Sequence, residues 1–482
     1  MKTLCLGIGY FVIMMCAGLT SPDLPAIIPQ SGGIPNPLTK ETKETQGAKE
    51  GKNGLDNRPF PGQSPEKHEK GNLSPDKSNP MKALVYHRSV IRYLLAKGLN
   101  RFWPRTFFAG VAPLKLQEID FRSPGPAWVV LRPRLCGICG SDLRLLKGAE
   151  SFLLEPYASM PAGLGHEVVA EVVEAPPGSE WRAGDRVVVE PVLPCAVRGV
   201  PPCRYCAAGA YNLCENFLTG ELAPGAILGF TRGVGGGMAE LMAAHPSRLV
   251  RVPDNVPDEV AVLTDSLASA LQPVLDNFPE DRHTVVVYGA GIIGQHLIRL
   301  LRALGSGARV MMVARYPFQA ELAREGGANV VMANPGRTQL GEAVGARLVP
   351  TTLGGGNLEG GADLFFDCVA SNSSLQEGLL TLRGRGTYVL VGTAGALGPV
   401  DFSSLWFREL KLTGSSMYAH GIFQGQKIRT YEKAVELLAR GDYPSPGLVS
   451  HRFRLADYRR AFKAAFDKRR HQSLKVALDL RD

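Results

Sequence analysis

Three residue types that bind zinc well lie within one short part of the sequence. Cys139 lies in the glycine-containing segment LCGICGSD, and the pair His166 and Glu167 follows it in the segment GHE. A catalytic zinc takes three protein groups of these kinds and leaves a fourth position open for water or substrate. Considered alone, the same residues fit a buried cysteine and a surface turn equally well.

A second group consists of four cysteines within a short stretch, Cys195, Cys203, Cys206 and Cys214. Cys203 and Cys206 have C-x2-C spacing, which is typical of zinc knuckles. In a reducing compartment, four cysteines so close together predict a closed structural zinc site with four thiolate ligands. A pair of disulfides is the alternative, and it applies if the protein is exported.

A nucleotide-binding pattern follows in the second half of the chain. The apolar run 283–288 predicts a buried strand, and a helical pattern continues to residue 304; between them lie Gly289, Gly291, Ile292, Ile293 and Gly294. A G-x-G-x-x-G sequence between a strand and a helix is typical of a dinucleotide site, with the pyrophosphate at the helix N-terminus.

The residue that follows the next predicted strand bears on which nicotinamide cofactor binds. That strand, 309–314, ends at Arg315, where an NAD site would carry an acidic residue for the ribose hydroxyls. An arginine there favours the 2′-phosphate of NADP. The alternative is that Arg315 is a solvated charge and NAD is accepted as well.

The elements that must position these residues are of two kinds. With 482 residues and 45% hydrophobic content, the chain can form at least two domains. Strand-like runs at 128–135, 168–173 and 186–189, separated by turn residues, predict a small β-barrel-like domain. Alternating strand and helix patterns from 283 to 392 predict a doubly wound parallel sheet. Helical patterns at 430–440 and 455–468 precede a last strand at 474–478.

The N-terminal residues differ in character from the rest of the chain. A short apolar run after Lys2 makes residues 1–20 resemble a secretory signal. Residues 21–80 are rich in Pro, Gly, Lys and Glu and nearly free of aromatics, which predicts a disordered linker. Either these residues are a genuine signal and linker, or the working enzyme begins at Met81. We expect a cytoplasmic protein, because the cysteines must stay reduced to bind zinc, and export or membrane tethering is the alternative.

The charge of the chain argues against nucleic acid as a partner. The net charge is +9, but the basic residues are scattered among acidic ones without an arginine-rich arm. The segment 90–110 has the pattern of a basic amphipathic helix. We expect this helix to pack on the body of the enzyme or at a subunit contact rather than on a membrane.

Taken together, the motifs CGICGSD, GHE, the four-cysteine segment and GAGIIG resemble, in this order, the zinc-dependent medium-chain alcohol and polyol dehydrogenases. The resemblance covers Met81 to the end of the chain. It implies an α/β architecture in which a GroES-like β-barrel catalytic domain accompanies a Rossmann domain. The implied boundaries are 81–266 for the catalytic domain with its structural zinc lobe at 195–214, 267–412 for the Rossmann domain, and 413–482 for the return to the catalytic domain.

The resemblance also implies individual roles. Cys139 and His166 match the ligands of the catalytic zinc, and Glu167 matches a glutamate that either ligates the zinc or lies behind it. Asp265 matches a further ligand position, where a carboxylate is similar to the polyol branch of the family. Ser141 matches the hydroxyl that connects the substrate to a proton relay.

Two positions depart from the family pattern: seven residues separate Cys195 from Cys203 where two are usual, and Arg144 lies where a relay histidine is common. The implied activity is hydride transfer between a small alcohol or polyol and NADP or NAD, with two zinc ions per chain, in a homodimer or homotetramer. The competing hypotheses are a zinc-independent quinone reductase of the same fold and a nucleotide-binding protein without catalysis.

Overall fold

A computed structural model describes residues 80–100, 113–393, 395–441 and 443–481. The predicted signal-like segment 1–20 and the linker 21–80, apart from its last residue, lie outside these ranges. So does the second half of the predicted amphipathic segment 90–110. Within the described ranges, none of the helices combines the length and the apolar character needed to span a bilayer.

The N-terminal part of the described chain consists of short strands and tight turns. In chain order the strands are β1 (Pro80–Tyr86), β2 (Leu114–Asp120), β3 (Val129–Gly137), β4 (Ala162–Gly163), β5 (Glu167–Glu174), β6 (Arg186–Val189), β7 (Met242–Ala244) and β8 (Leu249–Arg251). Strands β1, β2 and β4 form a three-stranded sheet, and β3, β5, β6 and β8 pair in that order in a larger one. Valine-rich β5 and β6 suit this half-buried pleated surface.

The middle of the chain forms a six-stranded parallel sheet. Its strands are β9 (Thr284–Tyr288), β10 (Arg309–Ala314), β11 (Val330–Ala333), β14 (Ala362–Asp367), β15 (Leu382–Leu390) and β16 (Lys411–Gly414), with the antiparallel pair β12 (Arg347–Val349) and β13 (Asn357–Glu359) inserted before β14. The order β11-β10-β9-β14-β15-β16 is that of a doubly wound Rossmann sheet, with its switch point between β9 and β14.

The last two strands return the chain to the larger N-terminal sheet, the one that contains β3 and β5. β17 (His420–Phe423) and β18 (Gln426–Arg429) form a hairpin, and β19 (Val449–Arg454) and β20 (Lys475–Asp479) follow. β20 pairs antiparallel with β3, and Ala477 lies opposite Gly137. The C-terminal strand therefore lies beside the segment that carries Cys139.

Helices cover these sheets and connect them. They are α1 (Val90–Asn100), α2 (Gly140–Lys147), α3 (Arg204–Ala208), α4 (Asp258–Ala261), α5 (Thr264–Asp276), α6 (Ile292–Ala303), α7 (Pro317–Glu325), α8 (Arg337–Ala343), α9 (Asn372–Thr381), α10 (Ser403–Phe407), α11 (Thr430–Ala439), α12 (Tyr458–Phe466) and α13 (Lys468–His471). One core cluster contains Leu135 and Val169 of the first sheet, Leu267 of α5 and Val285 of the Rossmann sheet. The two sheets thus share a continuous apolar core through α5.

Candidate active site

The fold brings Cys139, His166 and Glu167 together. Cys139 immediately precedes α2, and Glu167 is the first residue of β5, where it lies opposite Gly137 of β3. One potential ligand atom from each of the three side chains lies within 4.8 Å of the other two. Antiparallel pairing of β3 with β5 is therefore what places the cysteine next to the His-Glu pair.

Two glycines make this close approach possible. A Cβ on Gly137 would overlap the carboxylate of Glu167, so only a residue without a side chain fits at this position. Gly165 has φ +99°, which other residues rarely adopt, and a Cβ there would lie 2.6 Å from Cys136 Sγ. The GHE motif therefore needs its glycine for conformational and for steric reasons.

Asp142 supports the site, although no role was predicted for it from the motifs. Its Oδ2 accepts a 2.8 Å hydrogen bond from the backbone N–H of Cys139, which fixes the start of α2. Its Oδ1 lies 3.9 Å from Nδ1 of His166, and the Asp142 side chain is completely buried. Burial lowers the pKa of His166, but the charges of Cys139 and Asp142 outweigh burial and raise it to about 10.

Glu167 has a second partner that sequence reasoning missed. Lys475 Nζ of β20 donates to Oε1 and Oε2 of Glu167 at 2.6 and 2.5 Å. Only 2% of the Lys475 side chain and 1% of the Glu167 side chain are exposed. Burial lowers the pKa of Lys475, but the charge of the Glu167 carboxylate outweighs burial, so the pKa is raised overall. The lysine thus balances the carboxylate charge within the protein interior, where an unpaired charge is costly.

The structure does not bring Asp265 into the group of three ligand atoms. Asp265 lies in the first turn of α5 and is buried, and the hydroxyl of Tyr418 donates a short hydrogen bond to its Oδ1. Burial raises the pKa of Asp265 to about 6, while the charge of His166 acts in the opposite direction. Asp265 is therefore an electrostatic neighbour of the group, and Tyr418 engages one of its oxygens.

The donor set and its surroundings fit a zinc ion. Oγ of Ser141 is buried and has no hydrogen-bond partner among the described residues, whereas Nδ1 of His166 faces Asp142. Buried polar atoms are normally satisfied, so an unpaired one two residues after the Cys139 thiol indicates that a further group belongs there. Sulfur, imidazole nitrogen and carboxylate oxygen are also the atoms that zinc prefers.

The four cysteines of the predicted structural site converge as well. One sulfur from each of Cys195, Cys203, Cys206 and Cys214 lies within 4.8 Å of the others. The sulfurs of Cys195 and Cys214 are 3.5 Å apart, well beyond the ~2.05 Å of a disulfide bond.

Backbone groups around these four cysteines suit thiolates. Sγ of Cys203 accepts N–H groups from Cys206 and Glu215, each at 3.5 Å. Burial opposes ionisation of Cys203, but these backbone hydrogen bonds lower its pKa to about 6. A pKa in this range favours the thiolate, which is the form that binds zinc.

The glycines of the GAGIIG motif adopt the backbone geometry that the motif predicts. Gly289 has φ +108°, which makes the tight turn after β9, and a Cβ on Gly294 would overlap the carbonyl oxygen of Gly289. A Cβ on Gly291 would meet nothing within 4 Å, so the chain leaves open space just before α6. Ile292 and Ile293 are the first residues of α6 and pack against the core. The backbone just before the N-terminus of α6 is thus open, as binding of a pyrophosphate at a helix N-terminus requires.

Arg315 lies at the carboxyl end of β10, in the position that the sequence predicts. Its side chain is exposed, and its guanidinium carbon lies 5.6 Å from the ring centre of Tyr316. Among the described residues, no carboxylate forms an ion pair with it. The guanidinium is therefore available to a ligand at the edge of the predicted nucleotide site.

Two family profiles match the chain. The alcohol dehydrogenase GroES-like domain matches residues 125–254, and the zinc-binding dehydrogenase profile matches residues 293–440. The chain is 27% identical to erythritol/L-threitol dehydrogenase of Mycolicibacterium smegmatis over 76% of this chain and 94% of that protein. It is 28% identical to L-threonine 3-dehydrogenase of Chelativorans sp. over 76% of this chain and 95% of that protein.

Solved structures agree on the fold. A putative zinc-binding dehydrogenase from Sinorhizobium meliloti 1021 bound to NADP superimposes with a TM-score of 0.62 at 23% identity, over 83% of this chain and 99% of that chain. These comparisons confirm the predictions of a GroES-like domain with a Rossmann sheet and of zinc and NAD(P) as cofactors. The chain belongs to the zinc-dependent medium-chain alcohol and polyol dehydrogenases, the NAD(P)-dependent oxidoreductases that act on CH–OH groups.

Proposed function

We propose that this chain oxidises a small polyol or secondary alcohol with NADP, and that Cys139, His166 and Glu167 hold the catalytic zinc. The observation that carries the proposal is the convergence of the three ligand atoms within 4.8 Å, next to an unpaired buried hydroxyl of Ser141. When bound, zinc would lower the pKa of an alcohol oxygen and NADP would accept the hydride.

The chain's own residues prepare this reaction. The unpaired Oγ of Ser141 can accept a hydrogen bond from the substrate hydroxyl and take part in moving its proton. Asp142 fixes the backbone of Cys139 and faces His166, so it holds both side chains in place. Helix α2 has no histidine that could continue the relay beyond Ser141. Arg144, which lies where a relay histidine is common, donates to the backbone carbonyl of Ala149.

Asp265 completes this proposal as the residue beside the metal. Its Oδ1 accepts a hydrogen bond from Tyr418, and its carboxylate acts on His166 through its charge and not as one of the three converging ligands. The four cysteines Cys195, Cys203, Cys206 and Cys214 would hold the second, structural zinc. A zinc-independent reductase would need neither of these two groups.

The test is the zinc content per chain, measured by elemental analysis in parallel with dehydrogenase activity on polyols. We expect about two zinc ions in the wild type and about one in Cys139→Ser, whose activity should be lost while the fold remains. Cys368→Ala is the matched control, because Cys368 lies in the Rossmann sheet region outside both groups, and it should keep both ions. Two zinc ions in Cys139→Ser would refute the assignment of the catalytic site.

The preference for NADP rests on Arg315. A charged hydrogen bond to a 2′-phosphate contributes about 1.5–3 kcal/mol, so Arg315→Gln should raise KM for NADP by roughly ten- to a hundredfold and leave KM for NAD unchanged. Arg282→Gln removes another exposed arginine and serves as the control. Equal effects of Arg315→Gln on both cofactors would contradict this preference.

We also propose a homodimer formed through the edge of the Rossmann sheet. All four residues of the edge strand β16 are exposed, and Trp406 and Phe407 of the nearby helix α10 are exposed as well. An open edge of this kind pairs readily with another strand. Leu412→Pro should lower the mass measured by light scattering to that of a monomer, since proline removes a ladder hydrogen bond.

The cytoplasm remains the expected location. The argument is that the proposed zinc thiolates must stay reduced, and N-terminal sequencing of the native protein tests it. A mature start at Met81, or an uncut chain from Met1, agrees with this expectation. Cleavage near residue 20 would contradict it.

A further inference from the structure

Helix α1 presents its apolar side chains to the outside. Val90, Ile91, Leu94, Leu95 and Leu99 are all exposed, Ile91 by 73% and Leu94 by 59%. Because successive helical residues are rotated by about 100°, these five positions lie within roughly half of the helix circumference. A surface helix normally buries this face and exposes its polar one. The structure therefore leaves this face unburied by the described part of the chain, so packing on the enzyme's own body is not observed, and the alternative expectation of a subunit contact stays a prediction.

The opposite side of α1 is attached to the catalytic domain. The hydroxyl of Tyr93 donates a 2.6 Å hydrogen bond to the carbonyl of Gly148, and a Cβ on Gly148 would collide with the Tyr93 ring. Arg88, just before the helix, forms an ion pair with Glu155. The apolar face is therefore held outward by contacts on the other side of the helix.

A second apolar segment lies beside this helix. The 3₁₀ helix Phe152–Tyr157 contains Glu155, the ion-pair partner of Arg88. Its exposed large apolar side chains are Phe152, Leu153, Leu154 and Tyr157, and Leu153 is exposed by 84%. We call the exposed apolar residues of α1 and of this 3₁₀ helix the α1 surface. Monomeric proteins seldom expose so many adjoining large apolar side chains unless the surface binds something.

The charge around the α1 surface identifies the kind of partner. Helix α1 contains no Asp or Glu, and its two basic residues, Arg92 and Lys97, lie by helical register at the two margins of the apolar arc. The Arg92 side chain is exposed at the margin of the apolar face. Apolar side chains on one face and cations along its margin are the combination that binds the interface of an anionic bilayer.

A second copy of the chain fits this surface less well. A symmetric contact would place the α1 surface of one protomer against the same surface of its partner. The cations of α1 would then face the same cations of the partner, since α1 has no acidic residue and Glu155 of the 3₁₀ helix is already paired with Arg88. Repulsion of this kind opposes self-association, whereas an anionic lipid surface compensates the same charges.

We propose that the α1 surface docks this enzyme peripherally on membranes that contain anionic lipids. The apolar residues of α1 and of the 3₁₀ helix enter the interface between headgroups and acyl chains, and Arg92 contacts the lipid phosphates. Because α2 joins the Cys139 segment to Gly148, which contacts Tyr93 of α1, the docked surface lies on the catalytic domain.

The test is co-sedimentation of the full chain with vesicles of equal parts phosphatidylglycerol and phosphatidylcholine, compared with pure phosphatidylcholine vesicles. We expect at least about tenfold tighter binding to the anionic vesicles, and binding should weaken as salt is raised. Ile91→Ser with Leu94→Ser should lower binding roughly a hundredfold, because two exposed aliphatic side chains no longer enter the interface. Arg92→Gln should lower binding about fivefold, on anionic vesicles alone.

Leu353→Ser is the matched control, because Leu353 is 90% exposed but lies in the nucleotide-binding part of the chain. It should bind vesicles like the wild type, and all variants should keep their circular dichroism and zinc content. Equal binding to both kinds of vesicle, or no binding to either, would overturn the proposal. The proposal would also fail if the wild type bound no vesicles and the variant with Ile91→Ser and Leu94→Ser had a lower mass by light scattering than the wild type. The α1 surface would then join two copies of the chain.

Discussion

The buried pair of Lys475 and Glu167 allows a quantitative test of how the site is held together. In Lys475→Met the methylene stem of the side chain is kept, but the carboxylate of Glu167 loses both of its hydrogen bonds from Nζ. The two side chains are only 2% and 1% exposed, so water cannot replace the lysine. Breaking a buried ion pair on one side costs about 3–5 kcal/mol. We expect a loss of this size in the free energy of unfolding of the zinc-free protein, in which no metal charge can balance Glu167, measured by urea denaturation followed by circular dichroism.

A double variant separates the lost charge from the lost packing. Glu167→Gln together with Lys475→Met removes both charges, and it should recover most of the stability because no buried charge remains unpaired. Arg385→Gln is the control for losing an exposed ion pair, with Glu409, and should cost at most about 1 kcal/mol. Wild-type stability of Lys475→Met would refute the reasoning, because some other positive charge would then balance Glu167. A double variant as unstable as the single one would refute it too.

Three further predictions concern other parts of the chain. Gly294→Ala should destabilise the protein by about 1–3 kcal/mol in urea denaturation, because the added Cβ overlaps a backbone carbonyl. Gly291→Ala should leave the stability unchanged, because its Cβ meets open space, and should weaken NADP binding in a fluorescence titration. Arg198→Met should cost at least about 3 kcal/mol and speed zinc release to a chelator, because it leaves several buried carbonyls without a donor. The hydrogen bonds of Arg251 lower the pKa of Asp185. The loss of unfolding free energy in Asp185→Asn should therefore be present at neutral pH and vanish as the pH falls through that lowered pKa. A loss that did not depend on pH would contradict this.

Strands bounded by turn residues could be predicted closely from the sequence. The run Arg186–Val189 and the run Arg309–Ala314 are the strands β6 and β10 with the same limits. Where prediction and structure differ, a side chain intervenes. Within the alternating pattern predicted for 283–392, strand β14 ends at Asp367, because its Oδ1 accepts the backbone N–H groups of Val369 and Ala370 and so turns the chain.

The long C-terminal helix predicted for 455–468 differs from the structure for a similar local reason. It divides into a 3₁₀ turn, α12 and α13, and the side chain of Asp467 caps α13 by accepting from Arg470. A capping aspartate within an apolar helical pattern marks a new helix start. Periodicity alone could not detect this division, because the apolar spacing continues across it.

The groups that bind one another across the site could not be predicted from one sequence. Lys475 lies 308 residues from Glu167, and Tyr418 lies 153 residues from Asp265. Neither partner belongs to a motif, and their proximity results from β20 pairing with β3 and from the packing of α5. The motifs thus predict which side chains carry the chemistry, whereas the tertiary fold determines the charges that surround them.

The long spacing between Cys195 and Cys203 shows how the fold can preserve a site when its motif changes. The intervening segment contains Arg198, a completely buried side chain that donates to the carbonyls of Leu193, Thr219, Leu222, Ala223 and Gly225. Five carbonyl acceptors from both sides of the lobe are thereby tied to one guanidinium, whose planar fork suits several acceptors at once. Cys195 is thus held at 3.5 Å from Cys214, and its sulfur accepts the backbone N–H of Cys203 at 3.3 Å. The additional residues therefore supply their own anchor, which is why an unusual spacing still brings the four sulfurs together.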